Sequence, residues 1–282
     1  MVSTSPSIEY ELIEKIKSND HVCIERVRRV SDGTLWIRRV YADDRREVFR
    51  ALASIKDKHV PYIEEMTFDS DTTIIEERVD GVQLRERLLR KNFSRKQVLS
   101  ISKQLFSVLK LLHDQSIIHR DIKPENILIS PDDNIHLIDF GIARIYRPDS
   151  TQDTSLFGTA GYAAPEQYGF SQTDPRSDVY SSGIVVRELC KAAGIDENDA
   201  LHRLAIKCSS FDPNNRCNSA EEALRELSSI RTYRQIATTA ALFILVLLLG
   251  SVLLSKTISH QGKSEQEATS PSDSHVTIRF RR

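Results

Sequence analysis

His119-Arg120-Asp121-Ile122-Lys123-Pro124-Glu125-Asn126, followed thirteen residues later by Asp139-Phe140-Gly141, decides the reading of this chain. Between the two blocks, Ile127-Leu128-Ile129 and Ile135-His136-Leu137-Ile138 flank the polar run Ser130-Pro131-Asp132-Asp133-Asn134. Two short apolar runs around such a cluster predict a β-hairpin. Asn126 and Asp139 then stand at the ends of paired strands. Taken singly, a His-Arg-Asp is usually a solvated loop and an Asp-Phe-Gly a turn. A third block, Gly158-Thr159-Ala160-Gly161-Tyr162-Ala163-Ala164-Pro165-Glu166-Gln167, changes those odds, because the three occur in one order at fixed spacing.

Together the blocks resemble the catalytic loop, the Asp-Phe-Gly turn and the end of the activation segment of protein kinases, in the form common among bacterial serine/threonine kinases of eukaryotic (Hanks) type. The resemblance extends through Asp178-Val179-Tyr180-Ser181-Ser182-Gly183 and Asp212-Pro213-Asn214-Asn215-Arg216, and covers roughly residues 10 to 230. It implies an α+β, two-lobed fold, with a small β-rich N-lobe over about 10–78 and a larger, mainly helical C-lobe over about 79–230. Phosphoryl transfer passes through a loose transition state, so catalysis rests on positioning and on neutralising oxygen charge. The resemblance assigns Asp121 to accept the hydrogen bond of the attacking hydroxyl, Lys123 to face the γ-phosphate, and Asn126 and Asp139 to hold Mg²⁺, with Mn²⁺ as an alternative. ATP is the implied cosubstrate. Lys123 in this loop implies serine or threonine acceptors in protein substrates, and Thr159 is expected to contact both Asp121 and Lys123. Structural roles follow for Asp178, capping the catalytic-loop backbone, and for Glu166 with Arg216, a buried ion pair anchoring the activation segment.

The N-lobe departs from the family pattern. Where a glycine-rich loop is expected the chain reads Ile16-Lys17-Ser18-Asn19-Asp20-His21-Val22-Cys23-Ile24, without a glycine. Lys17 and His21 are candidates for side-chain contacts to phosphates there, beside the plainer reading of a solvated hairpin tip. The next strand, Thr34-Leu35-Trp36-Ile37-Arg38-Arg39-Val40-Tyr41, has no lysine for the phosphates. Arg38 is the nearest match, with Arg39 one register step away; a planar guanidinium is not a neutral replacement for an ammonium. The acid expected to pair with this cation is open among Asp43, Asp44 and Glu47, because the apolar ladder Val48, Leu52 and Ile55 puts Val48 at the glutamate position. Glu47 reaches Arg38 only if the helix rotates by about 100°. Thr72 to Gly81 resembles the interlobe hinge, with backbone near Glu77 and Val79 for adenine and Glu76 at the gatekeeper position.

Arg120 directly precedes the catalytic aspartate, and such arginines commonly pair with a phosphorylated activation segment. Ser150, Thr151, Thr154 and Ser155 are the available hydroxyls, Thr154 first and Thr151 next, with autophosphorylation by self-association between copies as the expected route. Between Lys191 and Asn198 the C-lobe is short where kinases usually insert another helix, which leaves substrate selection to co-localisation.

Length and charge agree. The 282 residues suffice for one two-lobed enzyme, and 39 basic against 40 acidic residues give no field favouring nucleic acid. Cys23, Cys190, Cys208 and Cys217 lack metal-ligand or redox spacing, and read as reduced thiols. Residues 1–9 read as a disordered polar start without the apolar core of a signal peptide. Ile236 to Leu254 carries no charge in nineteen residues, about 28 Å at 1.5 Å per residue, and predicts one transmembrane helix flanked by Arg231, Tyr233, Arg234 and Lys256. The lipid bilayer is then a partner, the chain single-pass in the cell membrane, the kinase-like part cytoplasmic, and 255–282 a short disordered tail outside. Two functions remain in view: an active membrane-anchored serine/threonine kinase, and a catalytically impaired, nucleotide-sensing scaffold motivated by the missing glycines and lysine. A phosphotransferase with a non-protein acceptor fits less well, because in kinases the segment Gly158 to Gln167 receives a peptide.

Overall fold

In the computed structural model, the structure describes residues 8–148, 158–169, 172–230, 243–244 and 246–251. By its contacts the chain divides into two units, 1–230 and 231–282. Within the first, β1 (Tyr10–Ser18), β2 (Val22–Arg29), β3 (Leu35–Tyr41), helix α1 (Arg46–Ala53), β4 (Ile63–Phe68) and β5 (Thr72–Glu77) form the smaller lobe. Its strands make one antiparallel sheet in the order β1-β2-β3-β5-β4. α1 covers the sheet with Val48, Phe49 and Leu52, the apolar ladder that the sequence spacing anticipates, whereas Ile55 lies beyond the helix.

The larger lobe continues with β6 (Val82–Gln83), α2 (Leu84–Leu89), α3 (Arg95–Asp114), β7 (Ile117–Ile118), β8 (Ile127–Ile129), β9 (Ile135–Leu137), β10 (Arg144–Ile145), α4 (Pro175–Ala192), α5 (Ala200–Cys208) and a helix α6 over 220–230. α3 begins in a capping box: the Ser94 hydroxyl accepts from the Gln97 amide, and the Gln97 side chain accepts from the Ser94 amide at 2.9 Å. Val98, Ile101, Leu105, Leu109 and Leu112 then repeat at helical spacing and bury one face. α4 starts at Asp174, whose carboxylate accepts from the Arg176 amide at 2.7 Å, with Pro175 at the first helical position. A Cβ on Gly183 would lie 2.7 Å from the Ser209 nitrogen and 2.9 Å from the Ala205 oxygen. That glycine therefore lets α4 and α5 approach to backbone contact. Arg95 clamps Asp199, the N-cap of α5, through two hydrogen bonds of 2.8 and 2.9 Å, tying α3 to α5.

The predicted hairpin is β8 and β9, in register Ile127↔Leu137 and Ile129↔Ile135, with β6 on its other edge. Cys190, Cys208 and Cys217 are fully buried and free. Contrary to the scattered distribution that the sequence suggests, the sulfurs of Cys208 and Cys217 lie 3.5 Å apart, because the turn after α5 folds the chain back onto the helix end. Among the described residues no helix is long and apolar enough to cross a membrane. The expected span 236–254 falls largely outside those residues; its described part, 243–244 and 246–251, is helical. The expectations for 1–7 and for 255–282 likewise lie outside them.

Candidate active site

Asp121 sits at the centre of a closed set of hydrogen bonds. Its Oδ1 accepts from the Thr159 hydroxyl at 2.8 Å, and its Oδ2 accepts from Lys123 Nζ at 2.7 Å and from Asn126 Nδ2 at 2.8 Å. Lys123 Nζ also donates to Thr159 Oγ1 at 2.8 Å, so lysine, threonine and aspartate form a triangle. Burial alone would push the Asp121 carboxyl up, but the hydrogen bonds from Lys123 and Thr159 outweigh it and hold the group below the ordinary carboxylate range. Asp121 is thus an ionised acceptor. Asn126 spends its amide N–H on Asp121, including the backbone oxygen at 2.9 Å, which directs its carbonyl oxygen away from that cluster.

The backbone beneath these groups is fixed by Asp178, buried at the start of α4. Its carboxylate accepts from the His119 amide at 2.9 Å, the Arg120 amide at 2.8 Å and His113 Nε2 at 2.9 Å. Arg120 can therefore hold φ 68°, a left-handed conformation that costs energy for a side chain of its size. His119 is neutral: burial lowers its pKa, its Nδ1 accepts from the Asp121 amide at 3.3 Å, and Nε2 faces the Ile138 carbonyl at 3.3 Å. Its ring packs at a tilt against that of Phe140, centroids 4.8 Å apart; Phe140 is buried beneath the loop, and Asp139 lines the cleft. Asp139 is itself left-handed at φ 65°, and its Oδ1 accepts from the Gly141 amide at 3.3 Å.

A cavity of about 350 Å³ lies between the lobes. Ile24 and Ile37 roof it, Leu128 and Ile138 floor it, Glu77 and Val79 border the hinge side, and Asn126 and Asp139 close its far end. Apolar faces above and below a slot with backbone at one edge suit a planar base, and an amide oxygen beside a carboxylate at the other end suits a hard divalent cation. A second cavity of about 340 Å³ shares Asp139 and brings Lys17, Asn19 and His21 of the β1–β2 turn over Asp121. The Asn19 side chain caps that turn, accepting from the His21 and Val22 amides at 3.0 and 2.9 Å.

Two N-lobe expectations are corrected. Arg38, expected at the phosphates, points to the opposite face of β3 and pairs with Glu25 at 2.6 Å. The arginine of β3 that faces the cleft is Arg39, because side chains alternate along a strand and Ile37, Arg39 and Tyr41 share the inward face. Glu47 does not reach Arg38 either; it pairs with Arg147 at 2.7 and 2.9 Å, both side chains more than half exposed. Arg39 is held instead by Glu76, with Nε 2.6 Å from Oε1, both almost fully buried. The sequence spacing places Glu76 at the hinge end of β5 without this partner, because which face each β3 arginine takes depends on strand pairing.

The anchoring pair is in place: Arg216 contacts both Glu166 oxygens, at 2.7 and 2.9 Å, and Ser177 donates to the same carboxylate at 2.8 Å. Gln167 Nε2 donates to the Arg120 carbonyl at 2.8 Å, tying the end of the activation segment to the catalytic loop. Arg120 also lines a recess with Arg45, Arg46, Arg144 and Arg147, together with Asp43, Asp44 and Glu47, which pair with Arg45, Arg46 and Arg147. Ser150, Thr151, Thr154 and Ser155 lie outside the described residues.

The sequence of residues 15–229, most of the chain, matches the protein kinase domain family. The chain belongs to that family. A probable serine/threonine-protein kinase of Clostridium acetobutylicum is 29% identical over 227 residues, covering 68% of this chain and 34% of its own length. The probable serine/threonine-protein kinase PknB of Lactococcus lactis is 32% identical over 165 residues, 57% of this chain and 26% of the relative. For the serine/threonine-protein kinase PknL of Mycobacterium tuberculosis the figures are 40% over 118 residues, 41% and 30%. The matched part of this protein kinase domain chain thus spans about a third or less of the length of these relatives.

Proposed function

We propose that the chain is a serine/threonine protein kinase that transfers the γ-phosphoryl group of ATP to protein hydroxyls. The observation that carries the reading is the Asp121–Lys123–Thr159 triangle with Asn126 against it, Asn126 also lining the far end of a base-sized slot. An acceptor hydroxyl donates its hydrogen bond to the Asp121 carboxylate, which takes the proton as the new oxygen–phosphorus bond forms and the bond to the leaving diphosphate breaks. Lys123 balances charge on the transferred group. Asn126 and Asp139 would hold Mg²⁺ or Mn²⁺, which supplies neutralisation of the phosphate oxygens when bound. Names of the relatives support protein hydroxyls as acceptors, each being a serine/threonine-protein kinase or a probable one.

Anchoring in a bilayer through 236–254 belongs to the same proposal. Its support is the uncharged run, together with Phe243, Ile244 and Val246 to Leu249, each more than half exposed. Autophosphorylation of the activation segment, at Thr154 or Thr151, is proposed from the recess beside Arg120, where five arginines outnumber three carboxylates. With only a short connection between α4 and α5, co-localisation at the membrane would supply much of the substrate selection.

The test uses the full chain in lipid nanodiscs with ATP·Mg²⁺ and a generic protein acceptor, beside Asp121→Ala and Asp139→Asn. Both variants are expected to lose transfer by at least about a hundredfold. Transfer that survives both substitutions rejects the mechanism. An inactive wild type that still melts higher with ATP·Mg²⁺ gives the nucleotide-sensing scaffold instead, the reading motivated by the absent glycines and lysine.

A further inference from the structure

Arg39 and Glu76 form the most buried charge pair facing the nucleotide slot. The guanidinium makes two ionic contacts, 2.6 Å to Glu76 and 3.4 Å to Asp139, with both arginine and glutamate side chains under a tenth exposed. Both residues stand on neighbouring hydrogen-bonded strands, where Ile37 is opposite Glu76 and Arg39 opposite Ile74, so the two side chains meet on the diagonal of one sheet face. Helix α1 contributes no acid to this pair. Its buried side chains are Val48, Phe49 and Leu52, Glu47 faces outward to Arg147, and Asp43 and Asp44 just before it pair with Arg45 and Arg46.

This wiring has a physical consequence. A cation held by an acid on a helix loses its partner whenever the helix swings, whereas β3 and β5 cannot separate without breaking a ladder of backbone hydrogen bonds. The fork of Arg39 is therefore fixed by the sheet. Glu76 engages Nε and leaves a single long contact, 3.4 Å from Nη1, to Asp139. Without that carboxylate, a buried guanidinium 3.4 Å from Asp139 would move onto it, and the metal-binding acid would be occupied by an internal cation.

We propose that Glu76 is the positioning residue of Arg39, the β3 cation at the phosphate position of this fold, holding it to one long contact with Asp139 so that nucleoside triphosphate and divalent metal bind together without help from helix α1. This deepens the kinase reading and rests on it for the identity of the ligand.

The experiment measures binding rather than turnover, so it stays informative if the wild type transfers no phosphate. Melting shifts of the full chain in nanodiscs are recorded against ATP at fixed Mg²⁺, and against Mg²⁺ at fixed ATP, for wild type, Glu76→Gln, Arg39→Met, Arg39→Lys and Glu47→Gln. Expected are roughly tenfold weaker ATP binding for Glu76→Gln and Arg39→Met, a smaller loss for Arg39→Lys, and no change beyond about twofold for Glu47→Gln. The two strong variants should part in the metal titration: Glu76→Gln raises the half-saturating Mg²⁺ severalfold, and Arg39→Met leaves it at the wild-type value. A residue that merely supported the fold would not produce that split. Should Glu76→Gln fail to fold, the doubly apolar Arg39→Met, Glu76→Met chain removes the charge pair together; it is expected to fold, to lose ATP affinity about tenfold and to keep the metal requirement of Arg39→Met. Wild-type ATP and Mg²⁺ dependence in Glu76→Gln or in that double variant overturns the proposal, as does an equal loss in Glu47→Gln or a wild type that shows no ATP shift.

Discussion

Replacing Arg216 with alanine should destabilise the large lobe more than any other single surface-remote change described above. All five guanidinium N–H groups are used: two on Glu166 at 2.7 and 2.9 Å, and one each on the carbonyls of Ser210, Phe211 and Arg176 at 2.7, 2.9 and 3.1 Å. The guanidinium carbon also lies 4.8 Å from the centre of the Tyr180 ring. After truncation Glu166 keeps one side-chain partner, the Ser177 hydroxyl, for a carboxylate that stays out of water. Breaking a buried pair from one side costs about 3–5 kcal/mol. At about 2–4 °C per kcal/mol for a domain of this size, the thermal midpoint should fall by roughly 10 °C. Differential scanning fluorimetry with a urea titration checks this, and the urea slope should stay constant while the midpoint moves. Removing the stranded acid as well, in Arg216→Ala with Glu166→Ala, should restore part of the loss. A midpoint within about 2 °C of wild type for Arg216→Ala, or a double variant as damaged as the two singles added, would refute the reasoning.

Asp178→Asn should cost about 1–3 kcal/mol, because an amide cannot accept on both ends from the His119 and Arg120 amides, and hydrogen exchange at those two amides should accelerate. Its pH signature has a definite sign. Burial opposes ionisation of Asp178, but the hydrogen bond and charge of His113 hold the folded pKa below the ordinary value. The stability it contributes is complete above the unfolded pKa of about 4 and drains as pH falls through the depressed folded value; in Asp178→Asn that part of the acid slope should vanish from urea midpoints measured between about pH 5 and 2.5. Thiol titration of the native protein should find one reactive cysteine, the half-buried Cys23. Burial pushes the Cys190 thiol up to about 11, and the Cys217 hydrogen bond with burial raises Cys208, so a second fast-reacting thiol before denaturation would contradict the packing.

The C-lobe part of the site was legible because its chemistry is local in sequence. Asp121, Lys123 and Asn126 lie within one turn-rich loop, and the β8–β9 hairpin that carries Asp139 back to them has apolar strands and a polar turn that announce it. Thr159 could be placed only by resemblance, and the structure brings it to 2.8 Å from both Asp121 and Lys123. The N-lobe resisted for a different reason. Two adjacent arginines on a strand differ only in which face they take, and a one-residue slip exchanges the faces. Choosing between Arg38 and Arg39 needed the pairing of β3 with β2 and β5, which puts Arg38 opposite Glu25 and Arg39 on the side of Glu76. The nearness of Cys208 and Cys217 was hidden for the same kind of reason, since it depends on how the chain turns after α5 rather than on spacing.

The turn capped by Asn19 bears on the heat of nucleotide binding. A glycine-rich cover has backbone freedom to lose when it closes over phosphates, whereas here the β1–β2 tip is pinned by two side-chain hydrogen bonds and one backbone hydrogen bond, from the Asn19 amide to the Val22 carbonyl at 3.0 Å. The cover of the cavity over Asp121 is consequently ordered before any ligand arrives. Calorimetry of ATP·Mg²⁺ binding should show a small entropic penalty and a modest heat-capacity change, the signature of a preformed site rather than of a segment that folds on contact.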